Sequence, residues 1–391
     1  GFGEGTPKTR PHKVPRAGAA ALNGERVFVA MSGGVDSSVA AALLADRGYE
    51  VVGVWMRLGP GPTNADAPRC CGTDEAGEDA RRVAAHLGIP FYALDYSEVF
   101  GREVVDRFVR SYANGETPNP CVACNHHVKF EVLLRDAVAK FGAATLATGH
   151  YARVVADPDG RRRLLRARDA AKDQSYALYM LGQKELGRIT FPIGELSGKD
   201  ETRSIAAAYG LPTASKAESM DICFIGGDYR DFVRARAPEA FEPGAVELED
   251  GTPVGTHAGI GSLTVGQRSG VGVATGQRLY VLRLETERNA AIVGRRDEVA
   301  SRAYALGDMR FTADRPPSPR FRSSVALRYR GEPIACEVQV SGLEGVVRLA
   351  QPALVAPGQA AVLYRDDEVI GGGIVRRAFP WQGAPPPSTP A

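Results

Sequence analysis

Long apolar runs are missing from this sequence: none approaches the roughly 18 residues that a membrane-crossing helix needs, so no membrane role is expected. Cysteine is scarce, with 6 in 391 residues, too few and too scattered for a secreted disulfide framework. Nothing with the order of a signal peptide precedes them, so reduced thiols and a cytoplasmic location are expected. An excess of either charge is also lacking, with 48 basic against 46 acidic residues and a net charge of +2. Any polyanionic partner must therefore be read from local patches. What is present is an ordinary globular composition, 44% hydrophobic and 24% charged, which excludes a disordered or collagenous chain. At about 100–200 residues per domain, the length predicts two or three domains.

Residues 1–24 are Gly/Ala/Pro-rich without hydrophobic periodicity and read as a disordered leader; residues 379–391 read as a Pro-rich tail. From Glu25 the pattern alternates: ERVFVAM as strand, DSSVAAALLADRG as a helix capped by Asp36 or Ser37, YEVVGVWM as strand, DEAGEDARRVAAHLG as helix, PFYALDY as strand. A helical stretch to Asn114, a loop, the helix KFEVLLRDAVAKFG and the strand ATLATGH follow. Alternation of this kind predicts a doubly wound parallel sheet over 25–222, with ligands beyond the carboxyl ends of its strands. Helical periodicity then fades: 223–300 reads as a small central β-rich domain and 301–378 as a C-terminal β-barrel.

Ser32-Gly33-Gly34-Val35-Asp36-Ser37-Ser38 joins a predicted strand to a predicted helix. Glycines there let the backbone approach an anion, and the helix N-terminus supplies free amides and a favourable dipole. No Gly-Lys-Ser/Thr follows, so this is not a kinase or GTPase phosphate loop. The segment resembles the SGGxDS signature of PP-loop ATP pyrophosphatases, which implies adenylation of a substrate oxygen with release of pyrophosphate. Cys121 and Cys124 lie in TPNPCVACNHHVKF, a turn-rich loop opening a helix, where a thiol is expected to have a lowered pKa. Zinc is an alternative for Cys121 and Cys124 beside His126 and His127, although adjacent histidines tend to point apart. Cys223, between Ile222 and Phe224, has a plain core reading, as does Cys336; vicinal Cys70 and Cys71 carry no clear signal.

The segments MSGGVDSSVAAALL, TPNPCVACNHHVKF, LATGHYARV, AKDQSYALYML, DICFIGG, LTVGQRSGVGV and PGQAAVLY occur in the order found in the bacterial tRNA-specific 2-thiouridylase family. The resemblance covers nearly all of residues 25–376. It implies a cytoplasmic transferase that uses ATP and Mg²⁺ to adenylate the C2 oxygen of the wobble uridine in tRNA of the Lys, Glu and Gln type. Sulfur from a cysteine persulfide would then give 2-thiouridine, AMP and pyrophosphate. By the same resemblance Cys223 carries the persulfide and Cys124 is the second catalytic cysteine, the pair ending as a disulfide. The persulfide comes from a donor protein, a cysteine desulfurase or a sulfur relay protein. Some family members have Asp where this chain has Cys121; the change creates a thiol trio, Cys121, Cys124 and Cys223, that offers an iron–sulfur cluster as an alternative cofactor.

The resemblance matches Ala30, Met31, Ser32, Gly33, Gly34, Val35, Asp36, Ser37, Met56 and Gly149 to ATP contacts. Asp36 is also a candidate Mg²⁺ ligand, and equally a helix cap. Asn119, Pro120 and Cys121 match positions that meet the target base, and His150, Lys172, Asp173, Gln174, Arg328, Tyr329 and Gln359 match tRNA-contacting positions. An anticodon base must leave its stack to be thiolated at C2, which fits a loop carrying turn residues and a nucleophile. Between Arg310 and Arg330 stand six arginines (310, 315, 320, 322, 328, 330) against one acidic residue, Asp314, a local positive field with an aromatic, Tyr329, able to stack on RNA. Two other functions are weighed: a PP-loop ligase forming an amide or guanidine, which needs neither cysteine, and an RNA-binding module that has lost catalysis, against which the intact SGGVDSS argues.

Overall fold

The computed structural model describes residues 24–59, 73–217, 222–273 and 278–379. The expected leader up to Asn23, Cys70, Cys71 and the tail from Pro380 lie outside the described residues. The first strands are β1 (Arg26–Ala30), β2 (Glu50–Arg57), β3 (Phe91–Asp95) and β4 (Thr145–Thr148), followed by a hairpin, β5 (Ala152–Ala156) and β6 (Arg162–Arg166), and by β7 (Ile189–Thr190). Five of them form a parallel sheet in the order β3-β2-β1-β4-β7. Successive strand residues face opposite sides. Phe28, Ala30, Val52, Val54 and Met56 therefore enter one apolar cluster, while Val27, Val29, Met31, Val51 and Trp55 enter another. Burial on both faces is what a doubly wound sheet requires, and the expected fold class is the observed one.

Helix α1 (Val35–Asp46) follows β1, and α2 (Asp74–Leu87) runs back to β3. The N-cap of α1 is Gly34, with no side-chain cap bond, which corrects the expectation of a cap at Asp36 or Ser37. The Asp36 carboxylate is committed elsewhere. A larger correction concerns the loop around the cysteines. The helix expected from Lys129 begins at Pro120 and is continuous to Phe141, α-helical at Pro120–Ala123, π-helical at Cys124–Leu133 and α-helical again at Leu134–Phe141. Asn119 caps it, its Oδ1 accepting from the amides of Cys121 (3.1 Å) and Val122 (3.4 Å), and Pro120 occupies the first position, where its missing N–H costs nothing.

The central part pairs β8 (Gly244–Glu247), β9 (Pro253–His257), β10 (Tyr280–Glu285) and β11 (Ala290–Gly294) in the order β10-β11-β8-β9. The remaining strands are β12 (Ser301–Phe311), β13 (Arg320–Ala326), β14 (Ile334–Ser341), β15 (Glu344–Ala353), β16 (Ala360–Arg365) and β17 (Glu368–Ala378). They run β12-β15-β14-β13-β16-β17, and pairing of β12 with β17 closes a six-stranded barrel. Its interior is lined by Tyr304, Phe311, Val325, Val338, Val347 and Leu363, with Cys336 buried among them and its thiol pushed up to about 12 by desolvation.

The β5–β6 hairpin leaves the parallel sheet and joins this barrel: Leu164 and Leu165 of β6 pair antiparallel with Val369 and Glu368 of β17. Leu164, Ala326, Ala360, Val362, Tyr364 and Val369 then share one apolar cluster with Phe28, Phe130, Leu146 and Leu178. The sheet domain and barrel are therefore packed as one body. Leu164 is fully buried at this junction, and Leu164→Ala is expected to cost about 2–5 kcal/mol. Urea unfolding followed by tryptophan emission and by circular dichroism should show one coincident transition moved to lower urea. Two separated transitions would show that the barrel unfolds on its own.

Candidate active site

The Gly33–Gly34 turn is fixed from within. The Ser32 amide donates to Ser37 Oγ at 3.1 Å, the two serine hydroxyls lie 3.2 Å apart, and Ser38 Oγ donates to the Gly34 carbonyl at 2.8 Å. Gly33 has φ +73°, and a Cβ there would lie 2.2 Å from the carbonyl oxygen of Ala76, so only glycine fits between the loop and α2. Gly149 closes the other side: a Cβ there would lie 2.5 Å from the Ser37 amide nitrogen. Ala30 through Ser37 and Gly149 thus come together, and the amides of the first turn of α1 form a cradle suited to phosphate. Met56 shares an apolar cluster with Ala30 at the carboxyl ends of β1 and β2. Met31 packs on the opposite face with Val35.

Sequence reasoning missed two lysines at this loop. Lys199 Nζ sits 2.8 and 2.9 Å from the two carboxylate oxygens of Asp36, which also accepts from the Tyr151 hydroxyl at 3.0 Å. Lys216 Nζ donates to the Gly33 carbonyl at 3.0 Å and to Asp79 at 2.6 Å, tying the loop to α2. No spacing rule links residues 163 and 183 positions downstream to a glycine turn. The only signal was that each is a lysine near a turn.

Cys124 is buried and belongs to the cluster that holds Ala30 and Met56, and Cys223 and Phe224 pack against its edge. Phe224 is anchored edge-on to Phe100 and Phe108, with ring centroids 5.7 and 5.3 Å away, which fixes the backbone beside Cys223. The next helix residue, Asn125, is buried; its Nδ2 donates to the Ala177 carbonyl at 2.9 Å and its Oδ1 accepts from Lys129 at 2.9 Å. Cys121 is exposed on the first turn of the same helix. Among the described residues the three thiols do not form a group compact enough for one metal ion; the group that does is His126, His127 and Glu131, with donor atoms within 4.8 Å of one another. The adjacent histidines do not point apart as expected: their ring centroids are 4.2 Å apart, and His127 Nδ1 meets Glu131 at 3.1 Å.

Several residues matched to tRNA contacts have their polar atoms turned inward. Gln174 accepts from the Tyr151 amide at 2.9 Å, and Asp173 accepts from the Ala167 amide at 2.9 Å and the Ser175 hydroxyl at 2.8 Å. Burial raises the Asp173 pKa. Lys172 is half-buried in the same turn. The Gln359 side chain donates to the Thr117 carbonyl at 2.5 Å, and Thr117 in turn donates its amide to the Pro357 carbonyl at 2.7 Å. Two residues later Asn119 caps the cysteine helix, so a barrel loop is zipped to the segment that starts it. Arg328 and Tyr329 are exposed on the turn after β13, with the Tyr329 ring 6.2 Å from that of Tyr176. All six arginines between 310 and 330 are exposed.

His150 Nδ1 and Thr148 Oγ1 are 2.6 Å apart, and desolvation, then the Lys129 ammonium, hold its pKa well below the usual imidazole value. His126 is lowered to about 4, first by desolvation, then by His127 and Arg310.

A glycine cradle at the carboxyl end of a parallel strand, opening a helix beside a buried thiol, defines a nucleotide-using α/β domain of the HUP class. Residues 25–227 match the family model described as tRNA methyl transferase HUP domain, 230–295 the tRNA methyl transferase PRC-barrel domain, and 301–375 the aminomethyltransferase beta-barrel domain. The chain is 46% identical over 354 residues to a tRNA-specific 2-thiouridylase MnmA of Chloroflexus aurantiacus, covering 90% of this chain and 98% of that protein. It is 45% identical over 382 residues to that of Sorangium cellulosum, covering 96% and 97%. A solved complex of a 4-thiouridine synthetase with RNA and bound ATP aligns at TM-score 0.30 and 14% identity, over 55% of this chain and 51% of that one. The chain belongs to the tRNA-specific 2-thiouridylase MnmA family.

The histidines set a pH dependence of stability. Their native pKa values lie below the ordinary value of 6.5, so as pH falls from 6.5 toward 4 the unfolded chain takes up protons that the native state refuses. Stability is fully present above about pH 6.5 and declines below it. Urea midpoints at pH 7.5 and 5 should show this loss, and His126→Gln should reduce it.

Proposed function

We propose that this chain is a tRNA sulfurtransferase that thiolates C2 of the wobble uridine in tRNA of the Lys, Glu and Gln type. The observation that carries this reading is the single apolar cluster holding Cys124, with Cys223 at its edge, beside the carboxyl ends of β1 and β2. The phosphate cradle opens from the same strand end. Family membership supports tRNA as the substrate and 2-thiolation as the reaction.

ATP bound at Ser32–Ser37 and Gly149 with Mg²⁺ would place its α-phosphorus for attack by the uridine O2, forming adenylated uridine and releasing pyrophosphate. The C2 oxygen, a poor leaving group, then departs with AMP. Cys223, charged as a persulfide by a cysteine desulfurase or a relay protein, supplies the sulfane sulfur. The Cys124 thiolate supplies two electrons by attacking Cys223 Sγ, so that sulfur passes to C2 and a Cys124–Cys223 disulfide remains for a reductant to reopen. The balance is the same whether this attack precedes or follows bond formation at C2. Asn119, Pro120 and Cys121 stand at the helix start where an extruded base would enter, and His150, Lys172–Gln174, Arg328, Tyr329 and Gln359 are assigned to the tRNA side. The assignment leaves Asp173, Gln174 and Gln359 shaping that surface through their internal bonds. No step of this route requires an iron–sulfur cluster.

Nucleoside mass spectrometry of unmodified tRNA incubated with protein, ATP, Mg²⁺ and a persulfide source should detect 2-thiouridine. Cys124→Ser and Cys223→Ser are each expected to lower its yield by about 100-fold or more while tRNA-dependent pyrophosphate release continues. Equal yields from aerobic and anaerobic protein support the two-cysteine route, whereas activity confined to anaerobic protein would favour a cluster. Full activity of either serine variant would sink the sulfur-transfer reading.

A further inference from the structure

The segments that open at Thr117, Leu263 and Pro357 lie in three different domains, and in the folded chain they meet at Thr117. From the barrel, Gln359 Nε2 donates to the Thr117 carbonyl at 2.5 Å, and the Pro357 carbonyl accepts from the Thr117 amide at 2.7 Å. From the central domain, Thr264 Oγ1 accepts from the Thr117 hydroxyl at 3.4 Å. Thr264 is itself fixed in a turn, its amide donating to Gln267 Oε1 at 3.1 Å and its carbonyl accepting from the Gln267 amide at 2.9 Å. The nucleotide domain holds the preceding residue: the Glu116 amide donates to the Ser111 carbonyl at 2.8 Å, and its carboxylate accepts from the Ser111 hydroxyl at 3.2 Å and faces Arg376 of β17 at 3.8 Å. The packing leaves no slack. Gly358 has φ +89°, and a Cβ there would lie 3.0 Å from the Thr117 amide nitrogen; Gly115 has φ +70°, and a Cβ there would lie 3.0 Å from Leu284 Cβ of β10.

We propose that Thr117 and Gln359 are positioning residues for the reaction proposed above: the barrel and the central domain grip one residue between them and so set where Asn119, Pro120 and Cys121 receive the extruded base. The inference rests on that reading of the function. Only Pro118 separates Thr117 from Asn119, and its ring fixes φ, so the placement of Thr117 passes on to the cap that starts the helix of Cys124. The grip also gives Gln359 a task while its amide points into the protein. RNA docked across both domains would steady the same contact, linking its arrival to the geometry of the helix start.

The test follows tRNA-dependent pyrophosphate release and 2-thiouridine formation, with thermal melting and equilibrium dialysis of ATP as checks on the fold. Gln359→Leu removes the donor at nearly constant size. It should lower kcat about 10-fold in both assays and leave the KM for tRNA and the dissociation constant for ATP unchanged. A loss already present in pyrophosphate release separates this effect from that of Cys124→Ser or Cys223→Ser, which act after adenylation. Gly358→Ala, whose methyl group would press on Thr117, should lower kcat at least as far. Thr117→Val and Thr264→Val should each cost about 2- to 5-fold and the pair no more than either alone, because they share one bond, whereas Thr117→Ser should keep wild-type rates. A raised KM for tRNA with unchanged kcat in Gln359→Leu would overturn the proposal, since Gln359 would then touch the RNA directly. Wild-type kinetics in Gln359→Leu would overturn it as well, and multiplying losses in the threonine pair would overturn the part given to the central domain. Wild-type protein that forms no 2-thiouridine would remove the sulfurtransferase reading and this assignment together, a result visible without any substitution.

Discussion

The placement of the cysteine helix depends on a pairing that no local rule demands: β6, from within the nucleotide domain, hydrogen-bonds to β17, the last strand of the barrel. Once that ladder forms, Leu164 and Val369 bury the same apolar cluster as Phe130 and Leu178, and the barrel is pressed against the helix that carries Cys124. The loop at Pro357–Gln359 then reaches Thr117, fixing the chain two residues before the Asn119 cap. A barrel loop is thus joined by short, directional bonds to the segment that starts the helix carrying Cys124. Buried hydrogen bonds of this kind define geometry more than they add stability, because each net contribution is only about 1 kcal/mol.

Local electrostatics explain why a chain of net charge +2 can present a cationic surface. The six arginines from Arg310 to Arg330 are all exposed, and Arg320 is partly neutralised by Glu337 at 2.6 Å. Inside, the arrangement is different: charge is either paired, as in Asp36 with Lys199 and Asp79 with Lys216, or suppressed, as in His126 and His150. Suppression follows from desolvation first, since taking an imidazolium out of water costs more than nearby carboxylates return. His126 is further disfavoured as a cation by Arg310 and Arg107, and those guanidinium groups also weaken the His126–His127–Glu131 group as a metal site.

The parallel sheet and phosphate loop were legible because their signals are local: a buried strand, two glycines and a helix within a dozen residues. The fold class followed from alternation of such units. The start of the cysteine helix was missed although Asn119–Pro120 is a strong start signal, because the π-helical stretch over Cys124–Leu133 breaks the 3.6-residue periodicity by which a helix is recognised. The β5–β6 hairpin was missed for another reason. Its RRRLLR run has no strict alternation; it pairs along its length with β5, and its docking on β17, about 200 residues away, is context that a sequence window does not contain. Lys199 and Lys216 belong to the same class: an ion pair has no periodicity, so its members become visible only when the chain is folded.

Burial also separates the two cysteines that the sequence presents as a matched pair. Cys121 and Cys124 share one helix, three residues apart, yet Cys121 is exposed while Cys124 is 9% exposed within the cluster that Cys223 borders. A redox couple between Cys121 and Cys124 would act on a thiol open to solvent and to adventitious oxidants. Pairing Cys124 with Cys223 instead keeps one thiol of the exchange buried and couples it to the segment anchored by Phe224. Under the proposed route the half-buried Cys223 would carry the persulfide at the edge of the cluster that buries Cys124, with Cys121 exposed on the first turn of the helix.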